Sequence, residues 1–387
     1  MKRIPYGTQD INQADIQAVV TVLQSIWLTQ GPTIEQFEKK VAEYCGAKYA
    51  VAVNSATSAL HIACMTAKLG PNDILWTTPN TFVASANCGR YCGATVDFVD
   101  IDSRTYNMSA EKLEEKLVAA KQQGKLPKVV VPVDFSGQSC DMDKISALAK
   151  EYGFTVIEDA AHAIGGKYKG HEVGSCEYSD MTVFSFHPVK IVTTAEGGMV
   201  LTNKLELYQK LIQFRSHGIT RNPELMTEES HGSWYYQQIE LGYNYRMTDL
   251  QAALGSSQMD RIDEFVSRRQ AIAEKYNREL QGLPIILPYQ HPEVYSAYHL
   301  YVICLEKDNI VKTHKQIFEE LRKIGIIVNL HYIPVHTQPY YQQFGFKWGD
   351  FPLSEKYYAA AISIPMYPAL TEADQDYVIS VLKEVIV

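Results

Sequence analysis

Three kinds of segment are missing from this 387-residue sequence. No window approaches the ~20 consecutive apolar residues that a membrane-spanning helix needs, and no apolar stretch follows the charged N-terminus as it would in a signal peptide. No cluster of Lys or Arg interrupts a composition of 44 acidic and 36 basic side chains, whose formal net charge is −8. Nucleic-acid-binding proteins usually carry the opposite sign. We therefore expect a cytoplasmic protein that has neither a membrane nor a nucleic acid as a partner.

Short motifs for metals and nucleotides are also missing. The seven cysteines include no Cys-x-x-Cys pair, and the nearest approach to a metal-binding spacing is Cys88 and Cys92 in one predicted helix. Zinc sites usually need four ligands in two close pairs, so buried free thiols are the favoured interpretation and no metal site is predicted. The sequence contains neither Gly-x-Gly-x-x-Gly nor the lysine of a P-loop, which removes support from dinucleotide-binding and P-loop proteins.

Short apolar runs alternate with helical patterns in the first half of the chain. The runs are nearly continuous in apolar character, as in strands that are covered on both faces. Repeated strand–helix–strand units predict an α/β fold with a mostly parallel central sheet. A helical pattern then extends from Thr248 to Leu280, and strands alternate with helices after it. We predict a large domain at residues 1–247 and, at residues 248–387, a long linking helix with a small α+β C-terminal domain.

Lys190 is a candidate nucleophile. It lies between Val189 and Ile191, just after a predicted strand and just before Gly197-Gly198. Burial disfavours the ammonium form of lysine, so an amine in apolar surroundings can become a nucleophile that forms a Schiff base near neutral pH. From this segment alone, a lysine whose stem covers apolar surface while its amine reaches water is the commoner case.

Two further candidates lie at the end of a predicted strand and just after it: Asp159, which ends the strand, and His162. Ligands of open α/β sheets bind at the carboxyl ends of strands, and the small residues after Asp159 leave space for a flat molecule. Pyridoxal phosphate requires a carboxylate against its ring nitrogen, which Asp159 could supply, and His162 could bond the phenolic oxygen of the ring. Taken separately, a helix N-cap for Asp159 and a satisfied buried histidine for His162 are equally good interpretations.

A phosphate turn and an aromatic ring precede these residues in the sequence. Ser55, Ala56 and Thr57 open a helix after a strand, and the N-terminus of a helix suits a phosphate, although an ordinary Ser/Thr cap explains the pattern as well. Phe82 follows the next strand, so its ring could cover a planar cofactor, although core packing is the usual fate of such a residue. The order of phosphate turn, ring, carboxylate and amine is more specific than any one of them.

From Ile4 to near the C-terminus, the sequence resembles the DegT-type sugar-nucleotide aminotransferases, which are fold-type I pyridoxal-phosphate enzymes. The resemblance implies that Lys190 is the Schiff-base lysine and that Asp159 is the partner of the pyridine nitrogen, both of them catalytic. The other implied cofactor contacts are His162 at the phenolic oxygen, Phe82 stacked on the ring, and Ala56, Thr57 and Ser185 at the phosphate. Ala56 stands where the family usually has glycine, which leaves the backbone N–H available.

The resemblance also implies a homodimer. In the segment Gly242-Tyr-Asn-Tyr-Arg, Asn244 would reach the phosphate from the neighbouring subunit, so that the two chains share each active site. Shorter segments, such as Leu28-Thr-Gln-Gly31 and His331-Tyr-Ile-Pro-Val-His336, resemble the branch of the family that acts at C4 in pseudaminic acid biosynthesis. Candidate contacts with the sugar or the nucleotide are Tyr6, Thr29, Gln30, His331 and Tyr332. Polar residues on surface loops are an equally good interpretation of these five.

This branch implies a particular reaction. An amino group would pass from L-glutamate to C4 of UDP-2-acetamido-2,6-dideoxy-β-L-arabino-hexos-4-ulose, giving UDP-4-amino-4,6-dideoxy-N-acetyl-β-L-altrosamine and 2-oxoglutarate. Pyridoxal phosphate would be the cofactor, with pyridoxamine phosphate as its intermediate form. Two alternatives stay open: a C4 aminotransferase for another UDP- or dTDP-linked 4-keto-6-deoxy sugar, such as that of the bacillosamine route, and a non-catalytic regulator on the same fold.

Overall fold

The computed structural model describes residues 2–386, which form seventeen strands and thirteen α-helices. The strands are β1 (Ile4–Pro5), β2 (Tyr49–Val53), β3 (Ile74–Thr77), β4 (Thr95–Phe98), β5 (Val129–Val131), β6 (Thr155–Asp159), β7 (Lys167–Tyr168), β8 (His171–Glu172), β9 (Met181–Ser185), β10 (Gly198–Thr202), β11 (Ile219–Thr220), β12 (Gln237–Gln238), β13 (Ile285–Ile286), β14 (Val294–Tyr295), β15 (Tyr301–Leu305), β16 (Ile326–Ile327) and β17 (Ala361–Ile364). The helices are α1 (Gln13–Leu23), α2 (Pro32–Cys45), α3 (Ala56–Thr66), α4 (Ala84–Tyr91), α5 (Ala110–Gln122), α6 (Met142–Tyr152), α7 (Leu205–Arg215), α8 (Asp249–Met259), α9 (Ile262–Glu279), α10 (His314–Ile324), α11 (Pro339–Gln342), α12 (Pro352–Tyr358) and α13 (Glu372–Ile386).

The centre of the fold is a seven-stranded sheet in the order β2-β10-β9-β6-β5-β3-β4. Only β10 runs against its neighbours; every other pair in the sheet is parallel. All residues of β5, β9 and β10 are buried, as expected for strands that are covered on both faces. The predicted α/β fold with a mostly parallel sheet is confirmed.

The register of β6 and β9 brings two strand ends together. Asp159, the last residue of β6, pairs with Val183, and β9 ends two residues further on at Ser185. Because these strands are parallel, the loops that follow them leave the sheet at the same edge. The segments that carry His162 and Lys190 therefore begin side by side.

The long helix predicted from Thr248 to Leu280 is interrupted. It consists of α8 and α9, and the break falls where Arg261 leaves helical backbone geometry (φ −115°, ψ 10°). The Arg261 guanidinium binds the carboxylates of Asp10 and Asp15 in the N-terminal segment, at 2.9 and 2.8 Å. The spacing of apolar residues does not predict this break in the helix, because the residues that bind Arg261 lie near the start of the chain.

Helix α9 contributes to two hydrophobic clusters. Phe265 and Val266 pack with the core of the large sheet, whereas Ile272 and Tyr276 pack with a second core around β15, β17 and α13. This arrangement agrees with a linking helix, and the division between residues 247 and 248 stays a prediction.

The N-terminal strand β1 does not join the large sheet. Ile4 and Pro5 pair in parallel with Ile326 and Ile327 of β16, and Ile4 is buried in the second core. This pairing carries Tyr6 towards the segment that follows β16. Both ends of the chain therefore contribute to the region around the second core.

Within residues 2–386, no helix is both long and apolar enough to cross a membrane. The same residues contain no group of three or more His, Cys, Asp or Glu side chains that could hold a metal ion. All seven cysteines are free, and five of them are buried.

Candidate active site

A cavity of about 580 Å³ lies at the carboxyl ends of β2, β6 and β9, and residues of the segment that follows β16 also line it. It collects most of the residues that the sequence predicts for the site. Ten of them line its wall: Tyr6, Ala56, Thr57, Phe82, Asp159, His162, Ser185, Lys190, His331 and Tyr332. The sequence pattern and the geometry thus identify the same place.

Lys190 is half-buried in the loop between β9 and β10. The loop is closed by backbone hydrogen bonds, from the N–H of Phe186 to Gly197 O at 2.9 Å and from the N–H of Lys190 to His187 O at 2.9 Å. Burial lowers the pKa of the Lys190 amine from 10.5 to about 8, and the nearby charge of Asp159 limits the decrease. Part of the amine is therefore unprotonated near neutral pH, as nucleophilic or proton-transfer chemistry requires.

Asp159 is a buried carboxylate with two hydrogen-bond donors. Ser85 Oγ donates to Asp159 Oδ2 at 2.6 Å, and the backbone N–H of Ala161 donates to Oδ1 at 3.2 Å. Burial raises the pKa of Asp159, while these two hydrogen bonds and the charge of Lys190 counteract the increase. The carboxylate is thus fixed in orientation within the wall of the cavity.

His162 is a neutral histidine whose tautomer is set by its neighbours. The backbone N–H of Ser136 donates to His162 Nδ1 at 3.2 Å, so the ring proton is on Nε2. Tyr332 Oη lies 3.1 Å from Nε2 and accepts that proton. Burial, together with the charge of Lys190, lowers the pKa of His162 well below 6.5. His162, the residue that the sequence predicts at the cofactor's phenolic oxygen, is thus hydrogen-bonded to Tyr332 through Nε2 here.

The N-terminus of α3 forms a cradle of donors. Ser55 caps this helix by accepting the N–H of Ser58 at 3.1 Å, while the N–H groups of Ala56 and Thr57 belong to the first turn, which has no intrahelical acceptors. The backbone of β10 passes close beneath, since a Cβ at Gly198 would lie 2.5 Å from the nitrogen of Ala56. Ser185, at the end of the neighbouring strand β9, adds a hydroxyl to the same wall.

Phe82 is not a core residue. Its side chain is 57% exposed and lines the cavity, where its ring lies 6.2 Å from that of Tyr332. An aromatic face of this size that is left open to a cavity suits a planar ligand. The core-packing interpretation of Phe82 does not fit its exposure.

Tyr6, from the N-terminal segment, and His331 and Tyr332, from the segment after β16, line the wall of the cavity opposite the large sheet. The rings of Tyr6 and His331 are 5.1 Å apart, and His331 Nδ1 lies 2.8 Å from Ser363 Oγ. Burial, reinforced by the charge of Lys190, lowers the pKa of His331 to about 3, so that it is neutral at pH 7. Together with Tyr332, these side chains present neutral hydrogen-bonding groups and aromatic surface to a ligand.

Three predicted residues lie elsewhere in the single chain. Thr29 pairs with Thr248, and Asn244 pairs with Ser216. Gln30 lines a second hollow of about 350 Å³ together with Arg246. None of the three lines the main cavity, and their roles stay predictions that require a second subunit.

The cavity also contains residues that the sequence does not single out, among them Ser85, His187, His299 and Asn329. Ser85 follows Phe82 by three residues, one helical turn, which is a signal that a search of that segment could have used. His299 has no comparable signal. It packs 4.4 Å from His162, ring to ring, only because the segment after β14 folds back over the sheet.

The chemistry of these donors fits pyridoxal phosphate. Ala56, Thr57 and Ser185 offer N–H and hydroxyl donors for a phosphate, and Phe82 offers a ring face. Asp159 offers a buried carboxylate for a pyridine nitrogen, and Lys190 offers an amine with a lowered pKa. The cavity and its α/β sheet thus define a fold-type I pyridoxal-phosphate-dependent enzyme.

Residues 9–383 match the model of the DegT/DnrJ/EryC1/StrS aminotransferase family, and the chain belongs to this family. Spore coat polysaccharide biosynthesis protein SpsC of Bacillus subtilis is 41% identical over 99% of this chain and 97% of its own. The UDP-4-amino-4,6-dideoxy-N-acetyl-β-L-altrosamine transaminase of Campylobacter jejuni (strain 81-176) is 38% identical over 97% of this chain and 95% of its own.

A solved structure agrees with these relatives. Helicobacter pylori PseC, an aminotransferase involved in the biosynthesis of pseudoaminic acid, superimposes with a TM-score of 0.90 and 30% identity, covering 100% of this chain and 99% of its own. The family resemblance, the fold type and the cofactor, pyridoxal phosphate, are confirmed. The chain is a pyridoxal-phosphate-dependent sugar aminotransferase, which rules against the regulator alternative.

Proposed function

We propose that this enzyme transfers the amino group of L-glutamate to C4 of UDP-2-acetamido-2,6-dideoxy-β-L-arabino-hexos-4-ulose. The products are UDP-4-amino-4,6-dideoxy-N-acetyl-β-L-altrosamine and 2-oxoglutarate. One observation carries the proposal: His331 and Tyr332, from the segment that resembles the pseudaminic acid branch, line the same cavity as Lys190 and Asp159. The similarity to the Campylobacter jejuni transaminase and to Helicobacter pylori PseC supports the same substrate.

Pyridoxal phosphate, when bound, supplies an aldehyde that accepts amino groups and a ring that stabilises negative charge next to it. Lys190 is the residue that we assign to holding the aldehyde. Its amine, with a pKa of about 8, is also suited to taking up and returning a proton near neutral pH. Asp159 is the acceptor that we assign to the protonated ring nitrogen, because it is a buried carboxylate held in place by the hydrogen bonds from Ser85 and Ala161.

The remaining residues bind and orient. Ala56, Thr57 and Ser185 hold the phosphate, and Phe82 covers one face of the ring. In this structure the Nε2 proton of His162 is hydrogen-bonded to Tyr332. With the cofactor bound, His162 would donate this proton to the phenolic oxygen instead. Tyr6, His331 and Tyr332 contact the sugar or the nucleotide from the side of the second core.

The enzyme works as a homodimer in this proposal. Asn244 reaches the phosphate of the partner's cofactor, while Thr29 and Gln30 contact the partner's substrate. Two observations support it. These residues lie outside the main cavity of their own chain, and the adjacent segment exposes the neighbouring apolar side chains Ile26 and Trp27 at 89% and 49%. Solvent-exposed apolar side chains of this kind are typical of interaction surfaces. The cytoplasmic location stays a prediction from the sequence.

A second candidate is a C4 aminotransferase for a different nucleotide-linked 4-keto-6-deoxy sugar. The observation in its favour is the identity of 41% with SpsC, a spore coat polysaccharide protein, which exceeds the 38% with the Campylobacter jejuni transaminase. The cofactor-binding residues are compatible with both candidate functions, because in each of them the sugar contacts the opposite wall of the cavity, formed by Tyr6, His331 and Tyr332.

The test is an assay with competing acceptors. The enzyme, loaded with pyridoxal phosphate and given L-glutamate, is incubated separately with the L-arabino 4-keto sugar, with its D-xylo epimer at C5, and with a dTDP-linked 4-keto-6-deoxyglucose. We expect the highest kcat/KM with the L-arabino compound and a C4 amine of the L-altro configuration in the product by NMR. Faster turnover of either other sugar would transfer the assignment to the second candidate.

A further inference from the structure

We propose that Ser85 and Thr81 form a directed hydrogen-bond relay that fixes the orientation of Asp159 and keeps it ionised. Both would be positioning residues rather than catalytic ones, because they act through the carboxylate. The inference rests on the role assigned to Asp159 in the proposed function. It goes beyond that function by adding two residues that have no role in the sequence-based prediction of the site.

The directions of the two hydrogen bonds follow from their acceptors. An ionised carboxylate can only accept, so the single proton of the Ser85 hydroxyl is on the 2.6 Å contact to Asp159 Oδ2. The alternative acceptor of that proton, the carbonyl oxygen of Phe82, is 3.4 Å away. Ser85 Oγ must then accept from the hydroxyl of Thr81, 2.7 Å distant. The donors are thus ordered from Thr81 through Ser85 to Asp159.

Each member of the relay is buried. Thr81 is 2% exposed, Ser85 is fully buried and Asp159 is 5% exposed. In such surroundings a hydrogen bond to a charged group is stronger than in water, and each donor polarises the next. Losing the Ser85 donor would leave Asp159 Oδ2 without a protein donor. The carboxylate would then be protonated more easily.

The relay also joins two parts of the cofactor site. Thr81 and Ser85 flank Phe82, and the backbone N–H of Ser85 donates to Phe82 O at 3.3 Å in the tight turn that leads into α4. The turn that aims the Phe82 ring into the cavity therefore also delivers the donor for Asp159. A substitution here can change the carboxylate without touching Lys190.

The titratable groups that face Asp159 come from several elements. Lys190 lies across the cavity, Tyr332 faces it from the side of the second core, and Asp134 is hydrogen-bonded to it through the backbone, its N–H donating to Asp159 O at 3.1 Å. None of these groups changes when the Ser85 hydroxyl is removed. A shift in pH dependence in a Ser85 variant would thus report on Asp159 itself.

The test uses the variants S85A, S85T and T81V, with S354A as the matched control. Ser354 is also fully buried and also donates to a carboxylate, Asp100 Oδ1 at 2.9 Å, but it does not line the cavity. The Kd of pyridoxal phosphate for each apoenzyme is measured by the change in protein fluorescence between pH 5.5 and 9, alongside kcat and KM.

We expect S85A to raise the Kd about tenfold at pH 7 and to lower kcat by a similar factor, as the loss of one hydrogen bond to a charged group implies. Because hydrogen bonding to the ionised form lowers the pKa of a carboxyl, its loss raises that pKa. The acid side of the binding curve should therefore move up by about one pH unit. T81V should raise the Kd and shift the acid side of the binding curve in the same direction as S85A, but by less. S85T keeps the hydroxyl donor and should have the Kd and pH dependence of the wild type.

Other outcomes overturn the relay. A Kd and pH profile of S85A equal to those of S354A would show that Ser85 is only a packing residue. If S85A does not fold, T81V carries the test, and an unchanged pH profile in T81V would reject the relay. A D159N enzyme with wild-type affinity and rate would instead reject the role of Asp159. Failure of the sugar assay alone would leave these binding measurements intact.

Discussion

The two walls of the cavity are held by different kinds of structure. We call them the sheet wall, formed by Asp159, Ser185 and Lys190, and the terminal wall, formed by Tyr6 and the pair His331-Tyr332. On the sheet wall, the register of β6 and β9 fixes the spacing of residues through backbone hydrogen bonds. On the terminal wall, a two-residue pairing of β1 with β16 brings together segments from opposite ends of the chain.

This difference indicates a division of labour. Backbone pairing inside a buried sheet cannot be altered without disturbing the core, which suits a cofactor that every member of the family binds. Contacts between distant segments depend on a few side chains, such as the hydrogen bond from His162 Nε2 to Tyr332 Oη at 3.1 Å. Such contacts can change without loss of the fold, which suits the recognition of different sugars. Substitutions on the two walls should therefore have different kinetic consequences.

The largest effect should come from the sheet wall. K190A removes the amine to which the proposed function assigns both cofactor attachment and proton transfer, so we expect kcat to fall on the order of 10⁴-fold or more while the melting temperature changes little. The control is K204A, which removes an exposed lysine that is ion-paired with Asp180 and lies outside the cavity. Turnover by K190A near the wild-type rate would show that another group does the chemistry.

A pH experiment probes the same wall without a loss of side chains. The pKa of Lys190 is about 8, so below that pH the unprotonated fraction of the amine falls about tenfold per unit. The rate at which apoenzyme captures pyridoxal phosphate should thus rise with pH and level off above about 8. Because the charge of Asp159 raises this pKa, the midpoint in D159N should lie at lower pH.

The capture rate is followed by stopped-flow absorbance. An unchanged midpoint in D159N would mean that the two groups are not electrostatically coupled, and a midpoint near 10.5 would mean that Lys190 is not desolvated. Either result would weaken the contrast between the two walls.

The smallest effect should come from the terminal wall. Y332F removes one neutral hydrogen-bonding group, so we expect KM for the sugar nucleotide to rise about fivefold with kcat nearly unchanged. The affinity for pyridoxal phosphate should stay within about twofold of the wild type. Y276F is the control, since the Tyr276 hydroxyl donates to Pro365 O at 3.0 Å in the second core.

Steady-state kinetics and cofactor titration separate the outcomes. If Y332F weakens cofactor binding and leaves KM for the sugar unchanged, Tyr332 belongs with the sheet wall. The distinction between the walls would then fail at its best-defined contact.

The sequence predicts the sheet wall better than the terminal wall, for a physical reason. Apolar runs followed by small or polar residues mark strand ends, and parallel strands bring those ends to one edge, so that Asp159 and Lys190 are found by local pattern, whereas Ser185 is implied only by the family resemblance. The hydrogen bonds of Ser85 and His162 depend on tertiary contacts, and no local pattern encodes them. The break between α8 and α9 escapes notice for the same reason, because Arg261 binds residues at the N-terminus.

The residues of the terminal wall are predicted from the family resemblance alone. Tyr6, His331 and Tyr332 line the cavity, whereas Thr29, Gln30 and Asn244 lie outside it in the single chain. A sequence motif identifies these residues without indicating from which subunit they act. Only a measurement on the assembled enzyme can assign them.

The most direct measurement is the chemical trapping of the cofactor. The enzyme loaded with pyridoxal phosphate is reduced with borohydride, digested, and mapped by mass spectrometry, with K190A treated in parallel. The account predicts a single stable adduct of the reduced cofactor on Lys190 and none in the variant. An adduct on a different lysine of the wild-type enzyme, or none at all, would contradict it.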